Sequence, residues 1–144
     1  MKLKNFARAI SFALIVVPSL AAAGSFSISP TNLEVGAAGE TAMLTVKSGG
    51  GDRMQGQVRV MRWTRSRGRD KLEPTRDVVA SPPALRLAPD QETTIRLVRV
   101  KKTPPGNRRE CYRVLIDQLP GSRVDGSVVK FTIRHSVPLC FVSD

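Results

Sequence analysis

A proline corner followed by two short apolar alternations narrows the possible folds of this chain more than any other feature. Ser81-Pro82-Pro83 cannot lie inside a helix, because each ring fixes its own φ and restricts the residue before it. Residues 85–87 and 95–97 then place leucine or isoleucine at alternate positions, on either side of a turn at 88–91. A corner, a strand, a turn and a returning strand indicate antiparallel sheet.

Short alternating segments separated by turn residues continue along the rest of the chain, and none beyond residue 23 has a helical period. Strands at this spacing predict an all-β fold, an immunoglobulin-like sandwich of seven strands. The first predicted strand, 25–28 and 33–35, is broken at Pro30, and the other six are 42–46, 57–63, 85–87, 92–100, 112–119 and 128–142.

The first 23 residues have the three parts of an export signal. Three basic residues precede the apolar run 10–20, and the alanines at 21–23 suit signal peptidase. We expect 1–23 to be a signal peptide cleaved after Ala23, leaving one domain at 24–144. A retained membrane anchor is the less favoured alternative, because a span needs about 20 apolar residues.

The formal net charge of +11 at pH 7 raises the question of a polyanionic partner. Export argues against nucleic acid, and the basic residues are spread along strands and turns with no recognition-helix pattern. We interpret them as a solvated surface. Binding of a polyanion such as lipopolysaccharide remains an alternative that rests on charge alone.

The two cysteines, Cys111 and Cys140, are predicted to form a disulfide. Export places them in an oxidising compartment, and Asp125-Gly126 between them is a hairpin turn signal. In a hairpin centred there, paired positions sum to 251, which sets 111 opposite 140. A bulge at Pro120-Gly121 would shift this register.

Signatures of catalysis are missing from the sequence. His135 is the single histidine, without cysteine or carboxylate at motif spacing, and we interpret it as a solvated or hydrogen-bonded strand residue. The acids are scattered, and no phosphate-binding glycine loop occurs. We expect a protein that is not an enzyme and that has no cofactor and no metal site.

The last predicted strand has alternating bulky apolar residues at a position expected to be a sheet edge. Val129, Phe131 and Ile133 alternate with polar side chains. A bare apolar edge invites pairing with another chain. The alternative is that these three side chains fill the core of their own domain.

The order of features from 81 to 97 resembles the N-terminal domain of periplasmic pilus chaperones, the PapD-like family. A Pro-Pro corner, an apolar pair, a leucine–x–proline turn at 87–89 and an arginine–leucine strand follow one another there. Arg62-Trp63, residues 72–75 and Tyr112-Arg113 followed by Leu119-Pro120 resemble its divergent branch, the archaic chaperones associated with spore-coat-U-like subunits.

This resemblance implies a periplasmic chaperone whose partners are pilus subunits and an outer-membrane usher. Val129, Phe131 and Ile133 would fill the groove of an incomplete subunit by donor-strand complementation. Arg113 would anchor the subunit's C-terminal carboxylate, since a guanidinium grips a carboxylate bidentately. Well-studied members use two other cations, whose positions fall here at Asn32 and Pro138.

The resemblance covers residues 25–142, which correspond to one of the family's two domains. We therefore expect the second domain to be absent from this chain, through truncation or because a partner supplies it. The alternative functions are an exported structural or adhesion domain of the immunoglobulin type and a truncated chaperone without activity.

Overall fold

The computed structural model describes residues 26–36, 39–51, 53–103, 105, 109–121 and 131–143. These residues form ten strands and no helix, so the predicted all-β sandwich is confirmed. The strands are β1 (Phe26–Ser29), β2 (Leu33–Val35), β3 (Thr41–Ser48), β4 (Met54–Ser66), β5 (Arg69–Pro74), β6 (Val78–Ser81), β7 (Ala84–Leu87), β8 (Glu92–Arg99), β9 (Arg109–Leu119) and β10 (Arg134–Val142).

The strands form two sheets. The first has the order β1-β3-β8-β6, and the second has the order β2-β10-β9-β4-β5, with β7 also paired to β4. Neighbouring strands are antiparallel except β2 and β10, which run parallel. Alternate side chains of both sheets meet in a single core, in which Val46, Ile95, Ile116 and Leu139 are fully buried.

Two stretches of the chain pass from one sheet to the other at prolines. Pro30 separates β1, in the first sheet, from β2, in the second, and Pro82-Pro83 separates β6 from β7 in the same way. Proline suits these corners because it cannot donate a ladder hydrogen bond. The ten described segments exceed the seven predicted strands because these stretches are divided and because β5 folds back on β4.

The hairpin of β9 and β10 has the predicted register. Every paired position sums to 251, from Arg109 opposite Val142 to Asp117 opposite Arg134, so these strands contain no bulge. Cys111 lies opposite Cys140, and the two form the predicted disulfide. The predicted turn at Asp125-Gly126 lies outside the described residues.

The last strand begins at Arg134, so the prediction of a strand starting at Val128 needs correction. The same register would pair Phe131 with Pro120, which has no N–H to continue the ladder. The last bond in line with the hairpin runs from the Gln118 amide N to the Ile133 carbonyl O, at 2.9 Å. Phe131 and Ile133 therefore precede the strand, while 128–130 lie outside the described residues.

The predicted signal peptide, 1–23, also falls outside the described residues. Within the described part of the chain, no helix has the length and apolar character required to cross a membrane.

Candidate functional site

The outer edge of β10 is only partly paired. On this side β2 contacts β10 at Leu139–Phe141, and no strand among the described residues pairs with 134–138. In an antiparallel pair, hydrogen-bonded and non-hydrogen-bonded residue pairs alternate. Because Ile133 is hydrogen-bonded to Gln118 of β9, Arg134 and Ser136 direct their backbone N–H and C=O groups away from β9. These groups are available to an added strand.

Phe131 and Ile133 lie immediately before this open edge. By alternation they share the side of the strand that carries the buried Val137 and Leu139, but the sandwich leaves Phe131 uncovered and covers Ile133 only in part. The exposed fraction is 81% for Phe131 and 37% for Ile133. Two apolar side chains thus continue the core-facing side beyond the core, whereas Val129 lies outside the described residues.

An ionic clamp formed by Arg59, Asp117 and Arg134 fastens the base of this segment. The Asp117 carboxylate accepts hydrogen bonds from Arg59 Nη2 at 2.7 Å and Nε at 3.0 Å, and also from Arg134 Nε. It therefore joins β4, β9 and β10 where the chain enters β10. Burial raises the pKa of Asp117, but the hydrogen bonds from Arg134 and Arg59 outweigh it and hold that pKa below its usual value.

The clamp predicts a small acid-dependent loss of stability. A lowered folded-state pKa adds stability above the unfolded pKa, near pH 4, and that stability is lost as pH falls through the folded pKa. We expect Asp117→Asn to lower the free energy of unfolding by about 1 kcal/mol or less at pH 7. The difference from wild type should shrink toward pH 3 in denaturant titrations. Asp70→Asn, in the exposed pair with Arg65, is the control; a pH-independent Asp117→Asn effect would contradict the clamp.

Arg113, the predicted carboxylate anchor, lies on β9 between Pro138 of β10 and Met61 of β4. Its guanidinium carbon is 4.0 Å from the centre of the Trp63 ring, so the side chain points over β4 and away from the open edge. Among the described residues no carboxylate forms an ion pair with it. Asn32 precedes β2 at the level of Pro138.

A second charged cluster is buried at the opposite end of β9. Arg99, whose side chain is 6% exposed, donates to the Glu110 carboxylate at 2.9 Å and to the Lys101 carbonyl at 2.6 Å. The interpretation of the basic residues as solvated is therefore wrong for Arg99. Alternation indicates its inward direction, since Ile95 and Leu97 share its side of β8.

Tyr112 connects this cluster to the neighbouring strands. Its hydroxyl donates to Asp77 at 3.2 Å, and Asp77 also pairs with Arg62. Burial, with the nearby Glu110 and Asp77 carboxylates, raises the pKa of Tyr112. Burial also raises the pKa of Glu110, but hydrogen bonds from Arg99 and Lys101 bring it below its usual value. This cluster fixes the start of β9.

His135 packs against another side chain. Its ring meets Phe26 edge to face with centroids 4.6 Å apart. No group of three potential metal ligands occurs within the described ranges.

Two packed, mainly antiparallel sheets, with an exposed apolar segment beside a partly unpaired strand edge, define an immunoglobulin-like domain suited to strand addition. The chain belongs to the family of pili and flagellar-assembly chaperones, matching the PapD N-terminal domain over residues 25–142. The predicted family is thereby confirmed. No curated protein sequence matches the chain.

Solved structures of similar fold include chaperones and chaperone complexes. One is the CsuC–CsuE chaperone–tip adhesion subunit pre-assembly complex from archaic Csu pili of Acinetobacter baumannii, with a TM-score of 0.71 and 24% identity over 83% of this chain and 52% of that one. Another is the Salmonella enterica SafA pilin in complex with the SafB chaperone, with a TM-score of 0.68 and 23% identity over 83% and 55%.

The E. coli chaperone DraB has a TM-score of 0.64 and 20% identity over 84% of this chain and 56% of its own. The chain thus spans about half the length of the structures that it matches.

Proposed function

We propose that this chain is a periplasmic chaperone domain for pilus assembly, which caps incomplete subunits through the segment 129–133 and the open edge of β10. The observation that carries the proposal is the exposure of Phe131 and Ile133 in line with the core side of that strand. Exposed apolar side chains of this size beside free backbone donors and acceptors favour addition of a strand from another chain.

The edge supplies two kinds of contact to an incomplete subunit. Backbone groups of Arg134 and Ser136 give main-chain hydrogen bonds, which tolerate varied subunit sequences. The alternate apolar side chains enter the groove left by the missing strand and supply most of the affinity. Pro138 lacks an N–H and β2 pairs from Leu139 onward, so both limit the added strand to the part of β10 before them.

The proposed partners are pilus subunits, followed by an outer-membrane usher that receives them. The predicted signal peptide and the Cys111–Cys140 disulfide support a periplasmic location. The similarity to the archaic Csu complex supports the divergent branch of the family.

We further propose that Arg113 binds the terminal carboxylate of the subunit. Arg113 is half-buried, and its guanidinium has no carboxylate partner among the described residues, so it can form a bidentate pair with an incoming carboxylate. A strand that lies on the open edge, runs parallel to β10 and ends near Pro138 has its terminus at the level of Arg113, with β10 between them. The terminal carboxylate would reach the guanidinium across the outer face of Pro138.

Capture of a tagged pilus subunit encoded in the same genome tests both proposals. The wild-type chain is expected to co-purify with the subunit from the periplasm. Arg113→Ala should weaken binding by about 30-fold or more, because breaking a desolvated charge pair costs about 2 kcal/mol or above. Arg96→Ala, an exposed strand arginine on the other sheet, is the matched control and should change binding less than threefold.

Each outcome of this capture experiment has a distinct meaning. A folded wild-type chain that captures no subunit would contradict the chaperone proposal and favour an exported structural domain. Equal binding by the Arg113→Ala and Arg96→Ala variants would remove the anchor role and leave strand donation standing.

A further inference from the structure

We propose that Trp63 is a positioning residue for Arg113, holding the guanidinium flat and ready for a chain-terminal carboxylate. The inference rests on the proposed function and adds a residue to it. Its basis is the stack itself, in which the Arg113 guanidinium carbon lies 4.0 Å above the centre of the indole ring. Among the aromatic side chains, tryptophan gives the most favourable cation–π contact with arginine.

The Trp63 ring is itself held in place by its neighbours. Trp63 pairs with Leu72 of β5 on one side, and on the other it follows Arg62, which forms the last β4–β9 pair with Tyr112. The ring therefore belongs to a residue whose backbone is held by β5, next to the end of the β4–β9 ladder. Its Nε1 atom is buried and has no hydrogen-bond partner in the described residues, so the indole contributes its face and not its N–H.

In the proposed arrangement the indole covers one face of the guanidinium and leaves its in-plane N–H groups free. A carboxylate binds arginine in that plane, through two parallel hydrogen bonds. Trp63 can thus hold Arg113 without competing for the donors that the carboxylate needs. A lone arginine on a strand would sample many rotamers and lose that freedom on binding, which weakens the complex.

The position of the stack also separates Arg113 from other charges. Two carboxylates of the same sheet already have arginine partners: Glu34 pairs with Arg109, and Asp117 pairs with Arg59 and Arg134. Arg113 therefore keeps an uncompensated positive charge over an aromatic face, which favours an anionic ligand. Within the described residues no ion pair uses the Arg113 charge, so a carboxylate of a partner can bind it.

A double-mutant cycle tests the inference. Affinity for the same tagged subunit is measured for wild type, Trp63→Leu, Arg113→Ala and the double variant, and Trp63→Phe serves as the conservative replacement. We expect Trp63→Leu to weaken binding about fivefold to tenfold and Trp63→Phe about twofold. In the Arg113→Ala background, Trp63→Leu should have no further effect, because its contribution acts through Arg113.

A second subunit form distinguishes positioning from general damage. Two glycines added after the last residue of the subunit displace its carboxylate. Wild type should bind the native subunit more tightly than the extended one, and Trp63→Leu should discriminate less between the two forms. An equal Trp63→Leu effect with and without Arg113, or on both subunit forms, would overturn the inference and indicate a structural role. Failure of the wild-type chain to capture either form would instead contradict the proposed function.

Trp63 fluorescence gives an independent readout, since the chain contains one tryptophan. Arg113→Ala should change the emission of the free protein by removing the stacked cation, and unchanged emission would overturn the stack. Subunit binding should shift the emission of wild type more than that of Arg113→Ala, and equal shifts would contradict carboxylate capture at this stack.

Discussion

Replacing Phe131 by aspartate is expected to abolish subunit capture while the domain stays folded. Phe131 is 81% exposed in the free chain, so the change removes little native packing. In the complex, the same change removes the burial of a phenyl ring, worth about 1.5 to 3 kcal/mol, and places a carboxylate in an apolar groove. We expect affinity to fall at least 100-fold. Ile133→Asp should act in the same direction, with a somewhat larger effect on stability because Ile133 is 37% exposed.

Co-purification with the tagged subunit and thermal unfolding together measure this prediction. Met43→Asp is the matched control, because Met43 is an apolar strand residue, 51% exposed, on the other sheet. It should leave capture unchanged. If Phe131→Asp and Ile133→Asp both unfold the chain, these side chains belong to the domain's own core. If both variants fold and still capture the subunit, the donor segment lies elsewhere.

Removing the disulfide is expected to lower the free energy of unfolding by about 3 to 4 kcal/mol. The bond closes a loop between residues 29 positions apart, which restricts the unfolded chain far more than the folded one. The Cys111→Ala, Cys140→Ala double variant keeps both sites apolar, which suits the buried Cys140. Denaturant titration of the variant against oxidised wild type measures the difference.

Reductant provides the control for this experiment. It should reduce the stability of wild type toward that of the double variant and leave the variant unchanged. Mass spectrometry of the exported protein should find Cys111 linked to Cys140. Two free thiols in that material, or a stability change below about 1 kcal/mol, would contradict the prediction.

The hairpin of β9 and β10 shows how far a sequence can specify local pairing. Strand residues pair one to one, so a turn signal and two cysteines fixed a register that holds from Arg109 to Val142. The same arithmetic pairs Phe131 with Pro120, and so indicates that the ladder ends before that point. It also sets Asp117 opposite Arg134, which is part of the ionic clamp.

The Trp63–Arg113 stack could not be predicted in the same way. It depends on the pairing of β4 with β9, which are separated by four strands in the chain. No turn between them sets that register, and the stack further requires a particular pair of rotamers. Exposure of Phe131 is likewise a tertiary property, because an alternating apolar segment has the same pattern whether another sheet covers it or not.

The prolines that transfer the chain between sheets have a mechanical consequence for the whole domain. Because β1 continues through Pro30 into β2, and β6 continues through Pro82-Pro83 into β7, short proline-containing links join the two sheets at two places. We expect that the two sheets cannot separate at these links unless one of the linked strands first loses its hydrogen bonds to its neighbours. The proposed subunit strand would therefore add along the outer edge of the domain, without separation of the two sheets.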